Sequence, residues 1–149
     1  MEQRFEIFTL LITKIRRSIT KIKTEEMAEF DLKSPHVSCL YYLYQSDGNM
    51  TAKEICDASD EDKAAISRSI EYLETNGYIE CKCKTEKRYK SPLYLTEKGK
   101  LVAEKIAEKV ENIVNIASAD MNIEERKKFY KNLTTISNNL QKICDEYEG

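Results

Sequence analysis

The sequence predicts a mainly α chain with one small β-hairpin, in which long helices at both ends flank a compact centre of short helices. Three observations predict it. Near both ends, apolar residues recur at spacings of three and four, the period of a helix with one buried stripe. Between residues 34 and 77, short amphipathic runs are each opened by a capping residue and closed by a turn residue. Directly after Gly77 the period drops to two, that of a half-buried strand.

The first helix is read from Phe5, Phe8, Ile12, Ile15, Ile19 and Ile22, a heptad-like seam that Leu11 widens. The chain breaks at Asp31-Leu-Lys-Ser34-Pro35, where Ser34 is a suitable N-cap and Pro35 a suitable first helical residue. A second helix carries Val37, Leu40, Tyr41 and Tyr44 on one face and ends at Ser46-Asp-Gly48-Asn. Thr51 caps a short third helix, about Ala52 to Ala58, with Glu54 as its capping-box partner and Ile55 buried. Ser59 and Asp62 repeat the cap for a fourth helix whose core face is Ile66, Ile70 and Leu73, closed by Asn76-Gly77. Two such helices joined by a tight polar turn are spaced as a helix-turn-helix.

Ile79, Cys81 and Cys83 then alternate with Glu80, Lys82 and Lys84. After the polar, basic segment Thr85 to Ser91, Leu93 and Leu95 alternate around Tyr94. This is a hairpin with a long charged tip, and a hairpin directly after a helix-turn-helix makes a winged helix. Thr96 opens a long fifth helix (Val102, Ile106, Val110, Ile113, Ala117), interrupted at Met121-Asn122. The last helix repeats the seam with Phe129, Leu133, Ile136, Leu140, Ile143 and Tyr147. Helices this long leave apolar stripes in water unless they are paired, and a second copy of the chain is the economical cover. The expected organisation is one domain over 1–149: a winged helix-turn-helix DNA-binding region at 34–100, with dimerisation helices at 1–33 and 101–149.

Composition removes other classes. The 149 residues, 41% hydrophobic and 34% charged with two prolines and four glycines, give one ordinary core and no disordered or collagen-like bias. No apolar run is long enough to span a membrane, and the charged N-terminal segment is unlike a secretory signal. A cytoplasmic protein with no membrane partner is expected. Five scattered cysteines (Cys39, Cys56, Cys81, Cys83, Cys144) read as reduced thiols. Neither Cys81-x-Cys83 nor the lone His36 has zinc-ligand spacing, and neither a phosphate-cradling glycine loop nor a nucleophile motif is present. No metal, no cofactor and no enzymatic activity are expected.

The net charge of −2 does not point to nucleic acid, but its distribution does. Residues 82–100 carry seven basic and two acidic side chains, whereas 101–149 carry seven basic and nine acidic. The excess cations fall on the hairpin that a winged helix lays against DNA.

At these residues the sequence resembles the MarR (multiple antibiotic resistance regulator) family of winged-helix regulators. The similarity runs from Ala65-Ile-Ser-Arg-Ser-Ile-Glu-Tyr-Leu73 through Asn76-Gly77-Tyr-Ile79 to Leu95-Thr-Glu-Lys-Gly99, and covers nearly the whole chain. It includes a Ser-Arg pair on the recognition helix, a Leu-x-x-x-Gly turn and a Leu-Thr-x-x-Gly junction after the wing. The resemblance implies a homodimeric regulator of transcription, a repressor released by a small molecule or an oxidant. Two departures stand out. Glu86-Lys87-Arg88 occupies the place of the family's Asp-x-Arg wing tip, one residue further from Leu-Thr, and Cys81 stands where a basic residue is common.

With Ile66 and Ile70 inward, a step of 100° per residue turns Ala64 and Arg68 outward with Ser67 beside them. The small pair permits close approach to the major groove, and Arg68 can take guanine O6 and N7. Lys63, and Thr51 and Lys53 at the start of the supporting helix, are phosphate-contact candidates. Lys87, Arg88 and Lys90 surround the wing tip, suited to a minor groove. The expected partner is double-stranded DNA with a pseudo-palindromic operator. Asp60, Glu61 and Asp62 favour the helix dipole but bring negative charge close to that DNA.

For an effector, the resemblance implies a pocket near the hinge between the dimerisation helices and the winged region. Arg16, Arg17, His36, Cys39, Tyr41 and Tyr42 have something to offer there. Cys81 and Cys83 are read as small apolar residues on the wing's inner face; a redox role, with Lys82 and Lys84 lowering their thiol pKa, is the alternative. The family's peroxide-sensing branch keeps its reactive cysteine in the first helix, where this chain has none. A winged-helix interaction module without DNA affinity is the rival from another class.

Overall fold

The computed structural model describes residues 2–47, 49–59, 61–82 and 90–149. The order of elements is α1 (Glu2–Met27), a single 3-10 turn (Ala28–Phe30), α2 (Ser34–Gln45), β1 (Met50–Thr51), α3 (Ala52–Ser59), α4 (Lys63–Thr75), β2 (Ile79–Cys81), β3 (Pro92–Leu95), α5 (Glu97–Ala117) and α6 (Ile123–Glu148). The mainly helical fold class with a small antiparallel sheet is the one the sequence predicts. The chain divides into two compact units, one reaching to Lys109 and one beginning at Val110.

In the first unit, the core gathers around α2, which packs against α1, α3, α4 and β3. Cys39, Leu40 and Leu43 of α2, Ile55 of α3, Ile66 and Leu73 of α4 and Ile106 of α5 are fully buried. Being covered on several sides, α2 buries more than a single stripe: Val37, Ser38, Cys39, Leu40 and Leu43 are inside. The expected Tyr44 face is therefore wrong, since Tyr44 is exposed and Leu43 takes the inward place. The cap moves too. Ser34 is already helical, and the cap position falls to Lys33, whose extended backbone (φ −96°, ψ 165°) turns its N–H onto His36 Nδ1 at 3.0 Å.

The other caps follow the sequence. The Thr51 hydroxyl accepts the Glu54 N–H and donates to its carboxylate, both at 3.1 Å. Asp62 accepts the Ala65 N–H at 2.7 Å, which satisfies a donor that the first turn of a helix cannot satisfy itself. On α4 the buried set is Ile66, Ser69 and Leu73, with Ile70 half-buried. The core face is thus rotated from the expected one toward Ser69, whose hydroxyl donates to the Ala65 carbonyl at 2.8 Å and needs no outside partner.

The sheet has three strands in the order β1-β3-β2, all antiparallel. Ile79 pairs with Leu95 and Cys81 with Leu93, so the expected period-two faces meet in register. The two-residue strand β1, beside Leu93 and Pro92, is too short to announce itself by alternation. Cys83, Lys87, Arg88 and the rest of 83–89 lie outside the described residues.

In the second unit, the Asn122 carboxamide accepts the Glu125 N–H at 2.9 Å, while the Glu125 carboxylate accepts the Asn122 N–H at 2.8 Å. This reciprocal cap opens α6, and the Arg126 guanidinium donates to the Ser118 carbonyl across the turn at 3.1 Å. Within the first unit, Lys109 of α5 is ion-paired with Glu26 at 2.7 Å and Glu29 at 3.4 Å. These carboxylates raise its pKa, but a pair this exposed is an alignment device rather than a source of stability.

Candidate nucleic-acid interface

The short helix α3, the turn and α4 form a helix-turn-helix whose second helix is anchored by Ile66 and Leu73 and open on the other side. Lys63, Ala64, Ser67 and Arg68 are all exposed there, so the four residues that the sequence picks from this helix share its open side despite the shifted core face. Lys53 is exposed on α3, while Thr51 is half-buried with its hydroxyl engaged by Glu54. Lys90 is exposed just before β3. Asp62 is committed to its cap, while a second acidic side chain, the exposed Glu71, lies one turn beyond Ser67 on the same open side.

The end of α4 is locked to the sheet by a junction that accounts for two of the quoted motifs. Gly77 has φ +78°, a left-handed conformation that costs glycine nothing. The Thr96 hydroxyl lies 2.6 Å from the Gly77 carbonyl and 3.1 Å from that of Tyr78, and it accepts the Gly99 N–H at 3.0 Å. A Cβ at Gly99 would overlap the Tyr78 carbonyl oxygen, so α5 can start this close to the α4–β2 turn only with glycine there. Lys98 completes the joint, donating to the Asn76 carbonyl at 2.8 Å with its ammonium 4.3 Å from the Tyr78 ring centre. Recognition helix and wing root thus form one rigid piece. Periodicity did not reveal this joint, but the Leu-Thr-x-x-Gly spacing was its trace.

A cavity of about 510 Å³ lies against α3, α4 and the sheet, lined by Ala52, Lys63, Ser67, Ile70, Glu71, Cys81 and Leu93. The half-buried Cys81 faces it, whereas none of the six suggested effector residues lines it. Arg16 and Arg17 are exposed on α1. Tyr41 and Tyr42 are half-buried and meet edge to face at 5.5 Å, and burial, with Tyr41 adding to it, raises the Tyr42 pKa. Cys39 is a core residue whose thiol burial pushes up to about 12, with Cys56 and Glu61 adding to the shift, which leaves it inert as a nucleophile. His36 stacks on Tyr72 and caps α2. Among the described residues, no cluster of three or more His, Cys, Asp or Glu could hold a metal, and no helix is long and apolar enough to cross a membrane.

An open recognition helix, backed by a support helix that buries Ala52 and Ile55 and joined rigidly to a small sheet, defines a winged-helix DNA-binding domain. The family model of that description, "Winged helix DNA-binding domain", matches residues 36–114. The chain is 30% identical over 118 residues to YwoH of Bacillus subtilis, an uncharacterized HTH-type transcriptional regulator, covering 79% of this chain and 85% of that one. It therefore belongs to the winged-helix family of HTH-type transcriptional regulators, a class of regulators rather than enzymes, and its fold is that of the MarR regulators. NMB1585, a MarR family regulator from Neisseria meningitidis, superposes with a TM-score of 0.81 at 22% identity, over 96% of this chain and 97% of that one. A putative MarR family regulator from Listeria monocytogenes, solved with a 26mer DNA, gives 0.77 at 24% identity, over 87% and 85%. The Staphylococcus aureus MepR–DNA complex gives 0.75 at 21% identity, over 89% and 96%.

Proposed function

We propose that the protein is a homodimeric, sequence-specific DNA-binding repressor that occupies a pseudo-palindromic operator and is released by a small-molecule effector. The observation that carries the reading is the open side of α4, where Arg68 is exposed together with the small residues Ala64 and Ser67 and with Lys63, on a helix held rigidly at both ends. Arg68 reads base edges, with Ala64 and Ser67 allowing the approach. Lys63, Thr51 and Lys53 contact phosphates, and the wing residues Lys87, Arg88 and Lys90 enter the neighbouring minor groove. That two MarR-fold relatives were solved with DNA supports the mode.

Dimerisation draws support from what each unit leaves open. On α1, Ile12, Ile15 and Ile19 are 41%, 50% and 48% exposed, and on α6 Leu140 is 50% exposed. Apolar stripes of this length are covered by a partner helix in stable proteins, and a second copy offers the same seams. The ranges 1–33 and 101–149 would then serve pairing, leaving 34–100 for DNA. The effector is assigned to the hinge between the two, near Arg16, Arg17, His36, Cys39, Tyr41 and Tyr42. The test of the whole reading is retention of a duplex from upstream of the protein's own gene by purified protein, against a scrambled duplex. Equal retention of both would reject sequence-specific regulation. The second reading, a thiol switch, has one observation in its favour: Cys81 opens onto the cavity beside Lys63 and Ser67. Loss of operator binding on peroxide treatment, abolished by Cys81→Ser with Cys83→Ser, would favour it.

A further inference from the structure

The chain contains one histidine, and it joins the linker before α2 to the recognition helix. The imidazole of His36 lies flat against the Tyr72 ring, with centroids 4.3 Å apart and planes 10° from parallel. Its Nδ1 accepts the Lys33 N–H at 3.0 Å. The Tyr72 hydroxyl in turn donates to the Asp31 carbonyl at 3.3 Å. Asp31 is itself held in a left-handed conformation (φ 56°) with its N–H on the Ala28 carbonyl. Tyr72 follows Arg68 by four residues on α4, hence one turn further along nearly the same stripe. The linker and the first turn of α2 thus hold the recognition helix by two contacts on one residue, Tyr72, one turn from Arg68.

From this geometry we infer that neutral His36 is a positioning residue for the recognition helix, and that its protonation loosens α4 and lowers operator affinity. This rests on the DNA-binding reading above. The Lys33 N–H requires a lone pair on Nδ1, which fixes the proton of the neutral ring on Nε2. Protonation turns Nδ1 into a donor facing a donor, removing the α2 cap and charging the ring that lies on Tyr72. The ionisable groups around it are Lys33 and Asp31 in the linker and Tyr72 on α4. Partial burial foremost, and then Lys33, lower its pKa, against the opposing pull of Asp31. The direction of the effect is diagnostic. An added positive charge acting only as charge would strengthen binding to DNA, whereas loss of positioning weakens it.

The test has two arms. The first needs no DNA: an NMR titration of the single imidazole, with the backbone amides of Lys33 and α4 followed together. The Nε2–H tautomer is expected, with a midpoint below that of a free histidine and amide shifts that track it. An unperturbed midpoint, or α4 amides that do not follow, would overturn the clamp. The second arm measures wild-type affinity for the retained duplex at constant ionic strength. Affinity should fall about threefold or more from about pH 7.5 to about pH 5.5. His36→Phe, which keeps a ring to stack, and His36→Asn, which keeps an acceptor, should both lose that dependence. A wild-type affinity that is flat, or that rises on acidification, would overturn the positioning role. Failure to retain any duplex would count against the DNA-binding reading instead, leaving the first arm to decide the clamp.

Discussion

At the scale of single residues, the most constrained positions belong to the joint between α4, the sheet and α5 rather than to the open side of α4. Gly99 is the sharpest case, because any Cβ there meets the Tyr78 carbonyl. Gly99→Ala is expected to cost about 1–3 kcal/mol, read from urea denaturation, with Thr96→Val losing stability through the same joint. His36 carries the pH dependence. Its pKa is lowered in the fold, so the unfolded chain takes up the proton first on acidification. Its contribution is fully present above the pKa of a free histidine, about 6.5, and is lost as pH falls through that value toward the folded one. Denaturation midpoints across that window should decline in the wild type and not in His36→Phe. Cys39, which the sequence offers as a residue near the effector hinge, is wholly internal because α2 is covered by α1, α3, α4 and β3.

Among the elements, α4 joins stability to the proposed function at its N-cap. Asp62 caps the helix through one carboxylate oxygen, yet its charge sits exposed at the start of the helix assigned to DNA. Asp62→Asn keeps an acceptor, so stability should change little while affinity for any duplex rises. Asp62→Ala should cost about 1 kcal/mol of stability. Equal destabilisation by both would mean that the charge, not the hydrogen bond, does the capping. The caps of α3 and α4 and the inward faces of β2 and β3 were legible because Thr-x-x-Glu, the Asp before the helix and strict alternation each leave a local mark. Three features were not. The α2 cap moved to Lys33 because His36 supplies the acceptor from within the helix. Tyr44 faces outward because contact on several sides, rather than a single stripe, decides the α2 core. The core face of α4 shifted toward Ser69, whose hydroxyl is satisfied by its own helix and so can be buried at little cost.

For the whole molecule, the account joins two seams to one reading head. The seams could be read as apolar periodicity in the sequence, but what covers them could not, since a lone chain leaves Ile12, Ile15, Ile19 and Leu140 about half exposed. Ile12→Glu combined with Leu140→Glu should sediment as a monomer and lose operator affinity, while the winged region keeps its fold by circular dichroism; unchanged sedimentation would remove the dimer from the account. The outward set on α4 was legible because helical spacing alone turns Ala64, Ser67 and Arg68 away from Ile66. The junction that aims them was not, since it depends on contacts nineteen residues apart, from Thr96 to Gly77. The central claim is that Arg68 reads sequence. The most direct measurement is the affinity of wild type and Arg68→Ala for the operator and a scrambled duplex, titrated at several salt concentrations. The account predicts a loss of about 1–3 kcal/mol on the operator and little on the scrambled duplex. An equal loss on both, or an unchanged operator affinity, would contradict it.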